Sequence, residues 1–192
     1  SRVLTTLNSA LAASGLHAME TVRWTATDGT ALDGLLVRPA AVDGPAPLLV
    51  WVHGGPAEVM ARTFSPYFQV FASAGLAVFA PNYRGSTGRS EAFLRANVGD
   101  LVGADVDDVL SGVDRLVQMG VACPERTSLV GWSYGGTLAL GAARRSGAVR
   151  AVVAGAPVVD WVSFFGAPRL PALYRDYFPS PPWEDREPFD AA

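Results

Sequence analysis

Lysine is missing from this chain altogether, and all 15 basic residues are arginine. That excludes a lysine Schiff base and a serine–lysine dyad, so a reactive serine here has to take histidine as its base. Cysteine occurs once, at Cys123, which excludes an intrachain disulfide and a cysteine-rich zinc site. Histidine occurs only at His17 and His53. No apolar run approaches the roughly 20 residues of a membrane span. A net charge of −3 leaves no basic footprint for nucleic acid. Neither a membrane nor a nucleic acid is an expected partner.

What is present centres on Gly131-Trp132-Ser133-Tyr134-Gly135-Gly136. The pattern is Gly-x-Ser-x-Gly, preceded by the apolar run Thr127 to Val130 and followed by small helix-forming residues from Thr137 to Ala143. Strand, sharp turn and helix in that order push a serine hydroxyl clear of the backbone, and the flanking glycines let neighbouring chain pass close. The helix that follows adds its N-terminal dipole and free N–H groups. Ser133 is therefore the candidate nucleophile.

The 192 residues suffice for one domain that buries roughly 70% of the surface its unfolded chain exposes. Residues 1–20 read as a linker or arm, and 21–192 as the domain. Thr21 to Thr27 and Thr30 to Arg38 alternate around Asp28-Gly29, the signature of an antiparallel hairpin at a sheet edge. Leu48 to Val52 is apolar throughout, as a central parallel strand covered on both faces has to be. Phe64, Phe68, Phe71 and Ala72 recur at helical spacing before Gly75, and Leu76 to Ala80 follows as a strand. Asp100 reads as the cap of a long helix with the apolar stripe Val102, Val106, Val109, Val113, Leu116 and Val117. Asp105, Asp107 and Asp108 fall in its early turns, where carboxylates offset the helix dipole. Adjacent helical positions diverge, so these three do not make a metal site; no metal or cofactor is expected. A further strand covers Val149 to Ala154. Strands alternating with helices define an α/β fold with a mostly parallel, doubly wound sheet.

The last 36 residues hold 7 of the 14 prolines and 8 of the 19 aromatic residues, which excludes another regular strand–helix repeat. Trp161, Phe164 and Phe165 head an irregular aromatic cover over the C-terminal strand edge. Two readings stay open for them, a substrate pocket and plain core packing. His53-Gly54-Gly55-Pro56 follows the first central strand, where an α/β-hydrolase places one oxyanion-hole N–H. Those donors would be Gly55 and Tyr134, the residue after the nucleophile.

Together with Pro81-Asn82-Tyr83-Arg84-Gly85-Ser86-Thr87-Gly88, Ala104 to Val109, Ala156-Pro157 and Asp160-Trp161, these motifs resemble the catalytic domain of the prolyl oligopeptidase family, nearest its acylaminoacyl-peptidase-like branch. The resemblance runs from about Thr21 to Phe165. It implies an α/β-hydrolase fold that hydrolyses peptide or amino-acyl bonds of short peptides through an acyl-enzyme, with Ser133 as nucleophile and Gly55 and Tyr134 as oxyanion donors. A cytoplasmic location is the expectation.

The departures matter as much. Cys123 stands where the family usually has aspartate, and Leu101-Val102 replace a common Trp-Gly. The family orders its triad as serine, aspartate, histidine, yet no histidine follows Ser133. The side chain of His53 leaves from the wrong edge to serve, and Asp160 has no histidine to orient. The expectation is a domain lacking its last strands, with an upstream propeller and a downstream Asp/His segment belonging to the full-length protein. The chain alone is then expected to be nearly inactive. An esterase of the same fold, a catalytically inactive binding or regulatory fragment, and assembly with a chain that supplies Asp and His are the alternatives.

Overall fold

A computed structural model describes residues 5–40, 42, 44–167 and 174–192. Parts of the N-terminal arm, of the proline/glycine loop before Pro47 and of the aromatic cover lie outside the described residues.

The arm carries one short exposed helix, α1 (Ser9–Ala12). The hairpin strands are β1 (Met19–Thr25) and β2 (Ala31–Val37), joined through a turn in which Asp28 Oδ1 accepts from Thr30 N at 2.9 Å. Then come β3 (Ala46–Val52), α2 (Pro66–Ser73) and β4 (Ala77–Asn82). A short helix α3 (Glu91–Leu94) precedes the long α4 (Ala104–Gln118), β5 (Ala122–Trp132), α5 (Tyr134–Arg145) and β6 (Val149–Gly155). Among the described residues, the end of the chain holds α6 (Trp161–Phe165), a 3₁₀ turn (Arg175–Tyr177) and α7 (Glu187–Ala191).

The six strands form one sheet in the order β1-β2-β4-β3-β5-β6. β2 pairs antiparallel with β1 and β4, and the β3–β4, β3–β5 and β5–β6 pairs are parallel. β3 is the central parallel strand that its uninterrupted apolar run implies. The alternation of side chains along β2 splits the core in two. Leu36 joins Leu48, Val50 and Phe79 under α4 and α5, whereas Leu35 and Val37 join Val78, Ala80 and Phe68 under α2. The chain steps from β3 to one side, to β4, then crosses to the other side for β5. Strand order therefore reverses at β3, and the C-terminal end of such a strand opens a crevice.

Two local readings change. The helix after β3 starts at Pro66, and Phe64 stays outside it, 53% exposed. Ser65 accepts from Phe68 N and Pro66 sits at the first helical position, a cap-and-proline start that takes precedence over the phenylalanine spacing. In α4, only Asp107 is a solvent-facing carboxylate of the first turns, bridging to Arg145 at 2.9 Å. Asp105 and Asp108 are fully buried. Asp100 does act at this helix start, with Oδ2 accepting from Ala104 N at 2.9 Å.

Asp108 takes both ends of the Arg84 guanidinium, at 2.8 Å from Nε and 2.7 Å from Nη2, and also accepts from Arg84 N at 2.8 Å. Asp28 of the hairpin turn adds a second carboxylate at 2.8 Å. This cluster ties β1–β2, the segment after β4, and α4 together. Asp108→Ala leaves a nearly buried arginine without its main partner and is expected to cost about 3–5 kcal/mol of stability, read from urea unfolding.

Candidate active site

β5 delivers Gly131 and Trp132, and α5 begins at Tyr134, so Ser133 is the single residue between strand and helix. Its backbone has φ 56° and ψ −125°, the left-handed side of the map that a residue with a Cβ rarely takes. The turn is held by Ser133 N donating to Gly155 O at 2.8 Å and by Ser133 O accepting from Gly136 N at 2.9 Å. Gly135 is a glycine for want of space, because a Cβ there would collide with the carbonyl oxygens of Val52 and His53. That contact presses the first turn of α5 against the chain leaving β3.

Gly54 and Gly55 thereby lie beside Ser133. A Cβ on Gly54 would stand 3.7 Å from Ser133 Cβ. Gly55 has φ +108° and could not carry a side chain without meeting the backbone of Ala57. Tyr134 opens α5, where the first N–H groups have no acceptor within the helix. Around these residues opens a cleft of about 410 Å³, lined among others by Val52, Gly54, Gly55, Trp132, Ser133 and Val153. Ser133, Gly55 and Tyr134, singled out in the sequence, come together at one place.

The Tyr134 side chain is anchored away from the cleft. Its hydroxyl donates to Asp105 Oδ2 and accepts from Val102 N at 3.1 Å. Burial raises the Asp105 carboxyl to about 7, against hydrogen bonds from Tyr134, Asn97 and Val106 N that pull it down. The Tyr134 hydroxyl is pushed well up by burial and by Asp105. The Gly55 carbonyl has its own tie, accepting from the Tyr174 hydroxyl at 2.6 Å.

Neither histidine is directed at Ser133. The His53 ring stacks on Tyr83 at 4.2 Å between centroids, with Nε2 at 2.9 Å from Ser86 Oγ and Nδ1 at 2.9 Å from Gly54 O. Burial holds it down to about 4, so it is neutral. His17 is joined to α2 by Gln69 and Ser73. Asp160 caps α6, accepting from Ser163 N at 3.0 Å. Cys123 donates to Glu125 on the far end of β5. Of the aromatic cover, Trp161 is buried and packs on Tyr134, Phe164, Tyr174 and Phe178, while Phe165 packs on Trp183 and Phe189. Trp161, Phe164 and Phe165 do not line the cleft at Ser133; the packing half of the double reading describes their contacts here.

The sequence reading places Asp105 at a helix start and Tyr174 in the aromatic cover without their bonds to Tyr134 and Gly55, and it passes over Glu58. Asp105 carried a signal, since it precedes Val109 by one helical repeat and so falls on the buried stripe. The bond from Tyr174 to Gly55 spans 119 residues, and nothing local in the sequence signals it.

A turn of this geometry at a strand end, beside a glycine loop on the neighbouring strand, defines the α/β-hydrolase class. The chain matches the model of the prolyl oligopeptidase family over residues 62–192 and belongs to that family. It is 33% identical over 161 residues to the uncharacterized peptidase YuxL of Bacillus subtilis, covering 82% of this chain and 24% of that protein. It is 39% identical over 92 residues to the acylamino-acid-releasing enzyme of Arabidopsis thaliana, covering 48% of this chain and 12% of that one. The acylaminoacyl peptidase of Pyrococcus horikoshii superposes with a TM-score of 0.91 at 26% identity, covering 98% of this chain and 31% of its own. The chain thus spans a quarter or less of the length of these curated relatives.

Two of the buried ionisable groups, His53 and Asp105, push stability in opposite directions with pH. His53, depressed from 6.5 to about 4, contributes stability present above pH 6.5 and lost as pH falls toward 4. Asp105, raised from 3.8 to about 7, contributes stability present below pH 3.8 and lost as pH rises toward 7. Urea midpoints measured from pH 4 to 7 are expected to rise with pH in Asp105→Asn and to fall in His53→Gln, relative to the unmutated chain. Slopes unchanged from the unmutated chain in both variants would contradict these assignments.

Proposed function

We propose that the chain is the nucleophile-bearing part of a serine peptidase that cleaves peptide or amino-acyl bonds of short peptides. Ser133 Oγ attacks the scissile carbonyl carbon, the carbon–nitrogen bond breaks, the amine leaves with a proton, and the acyl-enzyme is then hydrolysed by water. The N–H groups of Gly55 and Tyr134 receive the oxyanion of the tetrahedral intermediates. The base that takes the serine proton is a histidine other than His17 and His53, oriented by an aspartate. We assign both to a downstream segment of the full-length protein, and an upstream propeller to its other end. The observation that carries the reading is the left-handed backbone of Ser133 at the strand–helix junction beside Gly54 and Gly55. Peptidase rather than esterase action follows from family membership and from relatives named as acylamino-acid-releasing enzyme and acylaminoacyl peptidase.

Full-length protein is expected to hydrolyse aminoacyl anilides and N-acylated dipeptides, and Ser133→Ala is expected to lower kcat by a factor on the order of 10⁶. Activity surviving in Ser133→Ala, or ester cleavage without amide cleavage, would sink the peptidase assignment. The 192-residue chain alone is expected to react only feebly with a fluorophosphonate, since oxyanion donors and binding without a base leave roughly 10³–10⁴-fold over water. Strong labelling would show that a base already lies within it.

A further inference from the structure

Among the residues lining the cleft at Ser133, the one formally charged side chain is Glu58. The other ionisable side chain lining it, His53, is buried and neutral. Glu58 is solvent-exposed, yet its backbone is fixed on both sides. Its N–H donates to Pro56 O at 2.8 Å, and its carbonyl accepts from Thr87 N at 2.9 Å. Two residues on, Met60 N donates to Asn82 Oδ1 at 2.8 Å, which ties the same loop to the end of β4. The Cβ position missing at Gly54 would lie 3.7 Å from Ser133 Cβ and 3.8 Å from Glu58 Oε2. Serine and carboxylate therefore flank one point of the loop. Burial is the main reason that the hydroxyls of Tyr83 and Tyr174 are raised, and the nearby Glu58 charge adds to it. Among the described residues no arginine pairs with Glu58.

A carboxylate that no described residue neutralises, lining an otherwise uncharged cleft, favours positive charge there. The geometry points to Glu58 as a specificity residue that binds a cationic group of the substrate, a guanidinium or an ammonium, within one residue of the bond that Ser133 attacks. One residue of extended chain spans about 3.3–3.6 Å, so a charge carried on the residue beside the scissile bond reaches across the glycine position that separates the two side chains. The inference rests on Ser133 as nucleophile and deepens that reading by naming the substrate class.

Binding separates this inference from catalysis. In Ser133→Ala, calorimetry compares acetyl-glycyl-arginine amide with acetyl-glycyl-citrulline amide, which differ by the guanidinium charge, and glycyl-citrulline amide with its acetylated form, which differ by the terminal ammonium. The charged member of at least one pair is expected to bind about threefold to tenfold more tightly at low salt. That preference is expected to fade in high salt. Glu58→Gln should abolish it, and because Glu58 is exposed the substitution leaves the fold intact. The pair that discriminates tells a side-chain cation from a terminal one. Equal binding within both pairs, no binding of any peptide, or a preference that survives Glu58→Gln would overturn the inference. None of these readouts depends on bond cleavage, so a protein that hydrolyses nothing could still bear out Glu58, and an active peptidase could still refute it.

Discussion

The contact that the site depends on is one of backbone against backbone. The first turn of α5 meets the carbonyls of Val52 and His53 at Gly135, with no room for a Cβ. Two strands of a parallel sheet leave their C-terminal ends several ångströms apart, about 4.8 Å. Two side chains of ordinary size in that gap would push the loops apart. Small residues on both sides let the loop after β3 and the turn after β5 share one surface. A strained serine, at a cost of order 1–3 kcal/mol, persists because the turn around it is over-determined. Gly155 takes its N–H, Gly136 and Thr137 donate to its carbonyl, and the next residue, Tyr134, is pinned through its ring.

Behind this surface lies a layer of buried polar groups belonging to the segment after β4 and to α4. Ser86 and Tyr83 hold His53, Asp108 holds Arg84, and Asp105 holds Tyr134. In a low-dielectric interior each such bond is stronger, and each broken one is more costly, than at the surface. The Asn82-to-Gly88 segment is structural in this sense: it supplies rigid backing for the loop at the cleft. Histidine here is a buried neutral wedge, stacked and hydrogen-bonded, with no direction toward the serine.

What could be read from the sequence was what local backbone requirements write into it. Gly-x-Ser-x-Gly needs its glycines within two residues of the serine, so the motif and the turn stand together. His53-Gly54-Gly55-Pro56 is legible for the same reason, and the apolar run of β3 records that both faces of the strand are covered. The start of α2 was legible too, in Ser65-Pro66, but was masked by the regular spacing of Phe64 with Phe68 and Phe71. Contacts between distant segments leave no such trace. The spacing of Asp105 puts it on the buried stripe of α4, but its bond to Tyr134 depends on how α4 packs against α5, which no local pattern records. The irregular cover is the extreme case, because its register is set by packing and by no period.

The bond from Tyr174 to the Gly55 carbonyl joins the most irregular part of the chain to its most constrained loop. Tyr174 packs in turn on Trp161 and Phe164, and Trp161 on Tyr134. Gly55, through its carbonyl, and Tyr134, through its ring, are thus touched by one aromatic assembly. Order in the cover and order in the loop are then linked equilibria. Whatever settles these few rings therefore also settles the loop after β3 and the first turn of α5, though no stretch of sequence joins them.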